Sequence, residues 1–390
     1  MKSKVEILSD ICTFVAGRIS VADLDLDTYI STENMLPNKE GIIRSSGLPT
    51  VSHTQAYMCG DVLVSNIRPY FKKIWFADRN GGCSNDVLVL RAKSGFHPGF
   101  LYYLLSDDKF FDYATTTAKG TKMPRGDKAA IMRYGVPDLP LDLQIRISDT
   151  LSILDLRIVE NRKINHHLEQ MAKTIFISWF VDFDPFGGVM PDNWRESIIA
   201  DTCSAIFNGG TPRRNEPTFW DGSIPWLTSG EVRQSIIVRP KSCISEAGLK
   251  GSSAKWVPPL STVVALYGAT AGQVSMVATP LTTNQAITAL VAKENCTFYN
   301  YLVMQNAVSQ LENSAIGSAQ QNISKAIVEK TACLIPTDTI LAEFNKLVSP
   351  FFNEWIQNLF ESSQLAAIRD TLLPLLMSGE LSVADLSDAK

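Results

Sequence analysis

The chain has 390 residues, enough for two or three domains with their own cores, and 45% hydrophobic with 19% charged residues is typical of a globular protein. A net charge of −4 argues against a general polyanion binder, and no apolar run reaches the roughly 18 residues that a membrane span needs. The start of the chain lacks the apolar segment of a signal peptide, and the seven cysteines form no CxxC pair. We therefore expect a cytoplasmic protein with reduced thiols and no metal site.

The charge is unevenly distributed along the chain. Residues 1–195 hold 23 basic and 23 acidic side chains, whereas residues 196–390 hold 13 and 17. Any nucleic-acid surface must therefore be a local patch.

The first globular segment reads as mixed α and β. Strands are predicted at Asp61–Ile67 and Val87–Arg91, and a helix at Pro98–Phe110. The frequent Gly and Pro turns between them suit a compact α+β domain with functional loops.

Two basic segments of this domain are candidates for binding. Residues 118–128 predict a mobile cationic loop for phosphate contacts, in which Arg125 or Lys122 can also reach a guanine edge. Residues 68–73 mix cations with aromatic rings, either as a hairpin tip that grips a nucleic-acid backbone or as an ordinary surface turn. The alternative for the first loop is likewise an ordinary solvated loop.

A single long helix is predicted from Leu141 to Asp184. Its apolar residues recur in steps of four and three, the heptad seam of a helix that lies along another helix, and no Gly or Pro interrupts it before Pro185. The predicted seam residues are Leu151, Leu154, Ile158, Asn161, Asn165 and Leu168.

The second half of the chain repeats the first. Residues 7–12 parallel 198–203, residues 61–65 parallel 261–265, and residues 84–86 parallel 283–285. The same relation carries the long helix onto a second one, Asp338–Met377, whose seam includes Val348, Phe351, Trp355 and Asn358. The seam asparagines either fix the register of the two helices or are partly exposed polar residues on an imperfect seam.

The second globular segment has the same predicted composition as the first. Its strands are Thr262–Tyr267, Gln273–Val277 and Ala286–Val291, and its helix is Tyr299–Leu311. The loop of residues 317–325 contains Gln320, Gln321 and Asn322, whose amides can read adenine through paired hydrogen bonds. An ordinary solvated loop is again the alternative.

Motifs for catalysis are missing from the sequence. It contains no GxGxxG or P-loop, and His166 and His167 are adjacent, so they point to different helix faces and make no metal pair. Asp182–Phe186 faintly resembles the motif of adenine methyltransferases but lacks its second proline, so we interpret it as an aromatic helix end.

Several motifs in order resemble the specificity subunits of type I DNA restriction–modification systems, over nearly the whole chain. The segment Leu154–Phe186 resembles the central conserved region of that family, and Leu373–Leu381 near the end of the second helix is also characteristic. The other characteristic segments are Gly120–Lys128, Gly209–Glu231, Gly248–Trp256, Tyr267–Gly272 and Thr282–Gln285.

The resemblance implies an α+β fold in which two target-recognition domains, related by a pseudo-twofold internal repeat, are separated by two long antiparallel conserved helices. On this basis we assign residues 1–140 and 186–337 to the recognition domains, and residues 141–185 and 338–390 to the helices. Each domain would read one half of a bipartite DNA site, and the helices would set the gap and bind two modification subunits. S-adenosylmethionine belongs to the modification subunit, ATP and magnesium belong to the restriction subunit, and this chain holds no cofactor.

Candidate DNA contacts follow from the positions of the loops. They are Arg68, Lys72, Lys119, Lys122 and Arg125 in the first domain, and Thr211, Arg213, Ser229, Gln320, Gln321 and Asn322 in the second. Two other classes stay open: a coiled-coil scaffold that joins two proteins without DNA, and a single-chain DNA methyltransferase. The missing cofactor loop speaks against the methyltransferase.

Overall fold

The computed structural model describes residues 5–316 and 322–383, which form two compact units. The first unit comprises the residues up to Ile158 and those from Ser363 onward, and the second is Val159–Ser362. Each of the two long helices therefore contributes residues to both units.

The first unit contains ten short strands and four short helices. The strands are β1 (Val5–Ile7), β2 (Cys12–Phe14), β3 (Arg18–Ser20), β4 (Tyr29–Ile30), β5 (His53–Tyr57), β6 (Val62–Ser65), β7 (Ile74–Phe76), β8 (Gly81–Cys83), β9 (Val87–Ala92) and β10 (Gly135–Pro137). The helices are α1 (Leu8–Ile11), α2 (Pro98–Ser106), α3 (Asp108–Thr116) and α4 (Lys128–Ile131), followed by the long helix α5 (Leu141–Phe180). The strands form sheets of order β2-β9-β6-β7, β3-β5-β8-β4 and β1-β10.

The second unit has a similar architecture with one more strand, β14 (Ile236–Ile237), in its main sheet. Its strands are β11 (Arg195–Ile198), β12 (Cys203–Asn208), β13 (Trp220–Leu227), β14 (Ile236–Ile237), β15 (Ser242–Ile244), β16 (Trp256–Val257), β17 (Thr262–Ala265), β18 (Val274–Val277), β19 (Leu281–Thr283), β20 (Ile287–Ala292) and β21 (Ala332–Ile335). Its helices are α6 (Glu246–Lys250), α7 (Thr297–Asn306), α8 (Val308–Ile316) and α9 (Lys325–Glu329), followed by the long helix α10 (Asp338–Ser378). The sheets have the orders β12-β20-β17-β18-β14, β15-β13-β19-β16 and β11-β21.

The internal repeat is confirmed by the strand registers within each unit. Cys12 pairs with Ala92 in the first unit, and Cys203 pairs with Ala292 in the second. The central strands β6 and β17 are buried along their whole length, as their unbroken run of mostly β-branched residues favours. The fold class is α+β, as predicted.

The predicted alignment of residues 84–86 with 283–285 was wrong by one position. Asn66 donates its backbone N–H to the carbonyl of Asp86, and Leu266 donates to Ala286 in the same place. The two pairs differ by 200 residues, so Asp86 corresponds to Ala286, and Gln285 corresponds to Asn85. The two polar triplets have similar residue types, which favoured an alignment that is one position too short.

The predicted helices Pro98–Phe110 and Tyr299–Leu311 were each wrong in extent, because each is a pair of helices. In the first unit the break lies at Asp107, which has extended backbone and accepts a 3.0 Å hydrogen bond from the N–H of Lys109. Asp at this position stabilises the start of a new helix, α3. The second unit breaks at Ala307, between α7 and α8.

The first long helix ends at Phe180, four residues before the predicted end at Asp184. Phe183 lies in the left-handed region with φ of 59°, and Pro185 disfavours helical backbone in the residue before it. The rings of Phe183 and Phe186 pack on Trp194 with centroids 6.0 and 5.0 Å away, as expected for an aromatic helix end.

Each unit buries apolar residues from both long helices in its own core. The first core packs Ile147 and Leu151 of α5 with Leu373 and Leu376 of α10 against β2, β6, β9, α2 and α3. The second core contains Phe176 and Phe180 of α5 with Phe344, Phe352 and Trp355 of α10. Within the described ranges, no helix is both long and apolar enough to cross a lipid bilayer.

Candidate nucleic-acid interface

The basic loop of the first unit is closed by backbone hydrogen bonds. Lys119 and Arg125 exchange N–H···O bonds of 2.8 and 2.9 Å, and the N–H of Arg68 donates to the carbonyl of Pro124 at 2.8 Å. The two basic segments predicted from sequence are therefore neighbours.

Two carboxylates lie among the cations of this loop. The guanidinium of Arg125 is 3.0 Å from Asp86, and the amine of Lys119 is 2.6 Å from Asp127. The hydrogen bond from Lys119 lowers the pKa of Asp127. The side chains of Lys119 and Arg125 remain 80% and 57% exposed, and Lys122 is exposed as well, so all three can reach a ligand in solvent.

The segment of residues 68–72 is a turn with unusual backbone. Arg68 and Lys72 bracket the 3₁₀ turn Pro69–Phe71 with φ of 49° and 51°. The corresponding residues of the second unit, Gly268 and Gly272, have φ of 76° and 90°. Left-handed backbone costs a residue with a Cβ about 1–2 kcal/mol, and glycine avoids this cost. The first unit therefore keeps two basic side chains where the backbone favours glycine.

The two cations of this turn differ in their surroundings. The amine of Lys72 lies 2.9 Å from Asp108 at the start of α3, and only 28% of its side chain is exposed. The Nε of Arg68 is buried without a hydrogen-bond partner. The position of Lys72 fits an internal contact better than the predicted DNA contact, which stays untested.

In the second unit, two indoles hold the loop that contains Thr211 and Arg213. Trp226 donates from Nε1 to the carbonyl of Gly210 at 3.0 Å, and Trp220 donates to the carbonyl of Arg213 at 3.1 Å. Thr211 donates its hydroxyl to the side-chain oxygen of Gln285. The side chain of Arg213 is exposed.

The predicted residues Ser229 and Asn322 lie next to one turn of the second unit. Thr270, in the turn Gly268–Thr270, donates its hydroxyl to the carbonyl of Ser229 at 2.9 Å. Asn322 forms a backbone bridge to Tyr267, as Arg125 does to Ile67 in the first unit. Gln320 and Gln321 lie outside the described residues.

Sequence reasoning missed the residues that hold the candidates in place. Asp86, Asp108 and Gln285 contact the candidate side chains, and Trp220 and Trp226 position a loop. The two tryptophans fall inside the characteristic segment Gly209–Glu231, which was the available signal for them. The carboxylate partners had no such signal.

The asparagines of the predicted seam are buried and paired within the second unit. Asn358 donates from Nδ2 to Oδ1 of Asn165 at 3.0 Å, and Asn161 donates to Glu361 at 2.6 Å and to Ser362 at 3.3 Å. Asn161 and Asn358 are 0% and 4% exposed, so a partly exposed seam does not describe them. In this unit the segments of α5 and α10 run antiparallel, because Trp179 contacts Phe344 near their other ends.

An ionic cluster joins the two helices within the first unit. The guanidinium of Arg369 in α10 lies 2.6 Å from Asp155 in α5, and Tyr103 of α2 donates to the same carboxylate at 2.7 Å. Burial lowers the pKa of Arg369, but the nearby carboxylates of Asp155 and Asp370 outweigh it, so the net shift is upward. Arg369 therefore stays charged.

The other seam residues differ in burial. The buried ones are Leu151, Ile158, Asn165, Val348 and Trp355, and the half-buried ones are Leu154, Leu168 and Phe351. Among the described side chains, no three His, Cys, Asp or Glu residues are grouped to hold a metal ion.

Known proteins similar to this chain are type I restriction enzyme specificity subunits. Residues 191–357 match the family model described as the type I restriction modification DNA specificity domain. The type I restriction enzyme HindI specificity subunit of Haemophilus influenzae is 26% identical, and the alignment covers 96% of this chain and 98% of the relative. The MjaIX specificity subunit of Methanocaldococcus jannaschii is 24% identical over 75% of this chain and 71% of its own length.

A solved structure shares the fold. The type I restriction–modification S subunit from M. genitalium superposes with a TM-score of 0.58 at 15% identity, over 97% of this chain and 96% of its own. The resemblance predicted from the motifs is confirmed: residues 191–357 match the DNA specificity domain, and a type I specificity subunit aligns with nearly the whole chain.

Proposed function

We propose that this chain reads a bipartite DNA site, with one globular unit on each half, for an adenine-methyltransferase subunit that it binds. The chain supplies recognition and no chemistry of its own. The partners in this proposal are double-stranded DNA, two modification subunits that carry S-adenosylmethionine, and restriction subunits that use ATP and magnesium.

The observation that supports two half-sites is the repetition of one loop framework with different side chains. The loop before the first long helix bridges Ile67 through Arg125, and the loop before the second bridges Tyr267 through Asn322. The same backbone position thus carries a guanidinium in one unit and an amide in the other. Two surfaces of equal architecture and unequal chemistry suit two different short sequences.

The side chains of the two surfaces suit different bases. Arg125 can donate two hydrogen bonds to guanine O6 and N7, the commonest specific contact in the major groove. In the second unit the amide of Asn322 has the donor and acceptor that adenine N7 and N6 require. The exposed cations Lys119 and Lys122 would contact phosphates, which fix position and carry no sequence information.

The long helices would set the gap between half-sites and dock the modification subunits. Buried polar pairs such as Asn165 with Asn358 favour the helix register in which they meet, because a buried amide that loses its partner is costly. A fixed register is what a spacer of defined length needs.

Binding to random and specific duplexes across a salt series tests this proposal. The full chain, purified with its modification subunit, should lose affinity by about 0.9 log units per phosphate contacted for each log unit of salt. Binding without any salt dependence would favour the protein-joining scaffold. Transfer of labelled methyl groups to DNA by the chain alone would favour the single-chain methyltransferase.

A further inference from the structure

We propose that Tyr70 and Phe71 form an aromatic wedge with which the first unit enters a base step of its half-site. This inference rests on the proposed function and names two residues for it. The two rings are 47% and 40% exposed, and their centroids are 4.7 Å apart, so they form one apolar tip. Buried Pro69 precedes them and anchors the turn.

The tip stands on a cluster of strained backbone. Asn38 and Lys39 have φ of 56° and 63°, and with Arg68 and Lys72 they make four left-handed residues other than glycine in one place. The N–H of Asn38 donates to the carbonyl of Phe71 at 2.8 Å, and the N–H of Lys39 donates to Lys72 at 2.9 Å. Such residues persist where the surrounding structure enforces them, and they are found clustered at active sites and ligand-binding segments.

The lysines around the tip contact acceptor groups of the first unit. The amines of Lys39 and Lys72 lie 3.2 and 2.9 Å from the carboxylate of Asp108. Lys73 donates from its amine to the carbonyl of Thr32 at 2.6 Å. Three lysines therefore bind groups of the protein, while the two rings of the tip face solvent.

The tip shares a surface with the loop that contains Arg125. Arg68, which starts the turn, is bonded to Pro124, and Ile67 is bridged to Arg125. The exposed side chains of Lys119, Lys122 and Arg125 give this surface cations that match DNA phosphates better than an apolar protein partner.

At the three corresponding positions, all of them described, the second unit has no aromatic residue. The residues that correspond to Pro69, Tyr70 and Phe71 are Ala269, Thr270 and Ala271, and the latter two are 3% and 8% exposed. The pair of exposed rings at these positions thus belongs to the first unit. Apolar side chains that enter a base step unstack it partly and bend the duplex, which makes flexible steps the preferred sequence there.

The test uses a duplex that carries both half-sites, with 2-aminopurine placed at successive positions of the first half-site. We expect the wild-type chain with its modification subunit to raise the fluorescence at one step, because unstacking removes quenching. Tyr70→Ala/Phe71→Ala should abolish that rise and weaken binding on the order of 10-fold. Tyr70→Phe keeps the ring and should keep the fluorescence rise.

Met58→Ala is the matched control, because Met58 is a 55% exposed apolar residue of the same unit before strand β6, whereas the tip follows that strand. A thermal melt shows that each variant is folded, and Tyr70→Ala alone replaces the double variant if the latter unfolds. A folded variant with unchanged affinity, or wild-type binding without a fluorescence rise at any step, would overturn the wedge alone. Failure of the wild-type complex to bind the duplex would overturn the proposed function itself.

Discussion

Asn358 and Asn165 form a 3.0 Å hydrogen bond between side chains of the two long helices, and both residues are buried in the second unit. Because both side chains are buried, an amide that loses this partner is also shielded from water. The pair therefore favours one register of the two helices. Its contribution to the free energy of unfolding can be measured with single and double variants.

Removing one member of this pair should destabilise the second unit by about 1–3 kcal/mol, because the other amide stays buried without a partner. The double variant Asn165→Ala/Asn358→Ala should lose less than the sum of the two single variants, by about 1 kcal/mol. Urea unfolding followed by tryptophan fluorescence gives these values. Asn353, exposed on the same helix, is the control, and Asn353→Ala should change stability by less than about 0.5 kcal/mol. Equal losses for Asn358→Ala and Asn353→Ala would contradict the account.

Arg125→Ala should weaken binding by about 1–3 kcal/mol at one position of the first half-site and leave the second half-site unchanged. Asp86→Ala should instead strengthen binding slightly, because the carboxylate 3.0 Å from Arg125 competes with DNA for the guanidinium. Anisotropy with single-base variants of the duplex measures both effects. Arg146→Ala, which removes an exposed cation of α5, is the control. A uniform loss over all sequences would mark Arg125 as a phosphate contact.

Asp108 should make the stability of the turn that contains Tyr70 and Phe71 sensitive to acid. Burial raises the pKa of this carboxyl, but the hydrogen bond from Lys72 and the charge of Lys39 outweigh it and lower the pKa below the usual 3.8. A lowered pKa stabilises the fold above pH 3.8, and the contribution is lost as the pH falls through the lowered value. Since the side chain is 57% exposed, screening limits the contribution to about 0.5 kcal/mol.

Comparing the free energy of unfolding of wild type and Asp108→Asn at pH 7 and well below pH 3.8 tests this contribution to stability. The difference between the two proteins should be present at pH 7 and vanish in acid. Asp112→Asn, an exposed carboxylate of the same helix, should show no difference at either pH. A difference that grew as the pH fell would have the wrong sign for this mechanism.

The long helices should act as the ruler of the DNA site. One heptad added to each, after Ile158 and after Ser362 where the two units divide, adds about 10 Å of helix, which corresponds to roughly three base pairs of gap. The half-site sequences should stay the same. A heptad added to one helix alone has no matching partner and should prevent a stable complex. An unchanged gap in the doubly extended protein would show that the helices do not set it.

The periodic elements were predictable from sequence, and the side-chain pairs were not. The 4-3 spacing predicted both long helices, because a helix that packs along another helix buries apolar residues at this spacing. The repeat was visible because both units bury the same strands. Asp86 and Asp108 lie far away in sequence from the basic residues that they contact. No local sequence pattern links the two members of such a pair. The left-handed backbone at Arg68 and Lys72 was hidden for a similar reason, since their residue types favour other conformations and only the glycines of the second unit indicate the turn.

A methylation map of DNA tests whether one chain reads two separate half-sites. The chain is expressed with its modification subunit in a host without other adenine methylation, and the host DNA is sequenced for N6-methyladenine. We expect two short defined motifs at one fixed separation, with Arg125→Ala relaxing only one of them. Methylation of a single uninterrupted motif would contradict it.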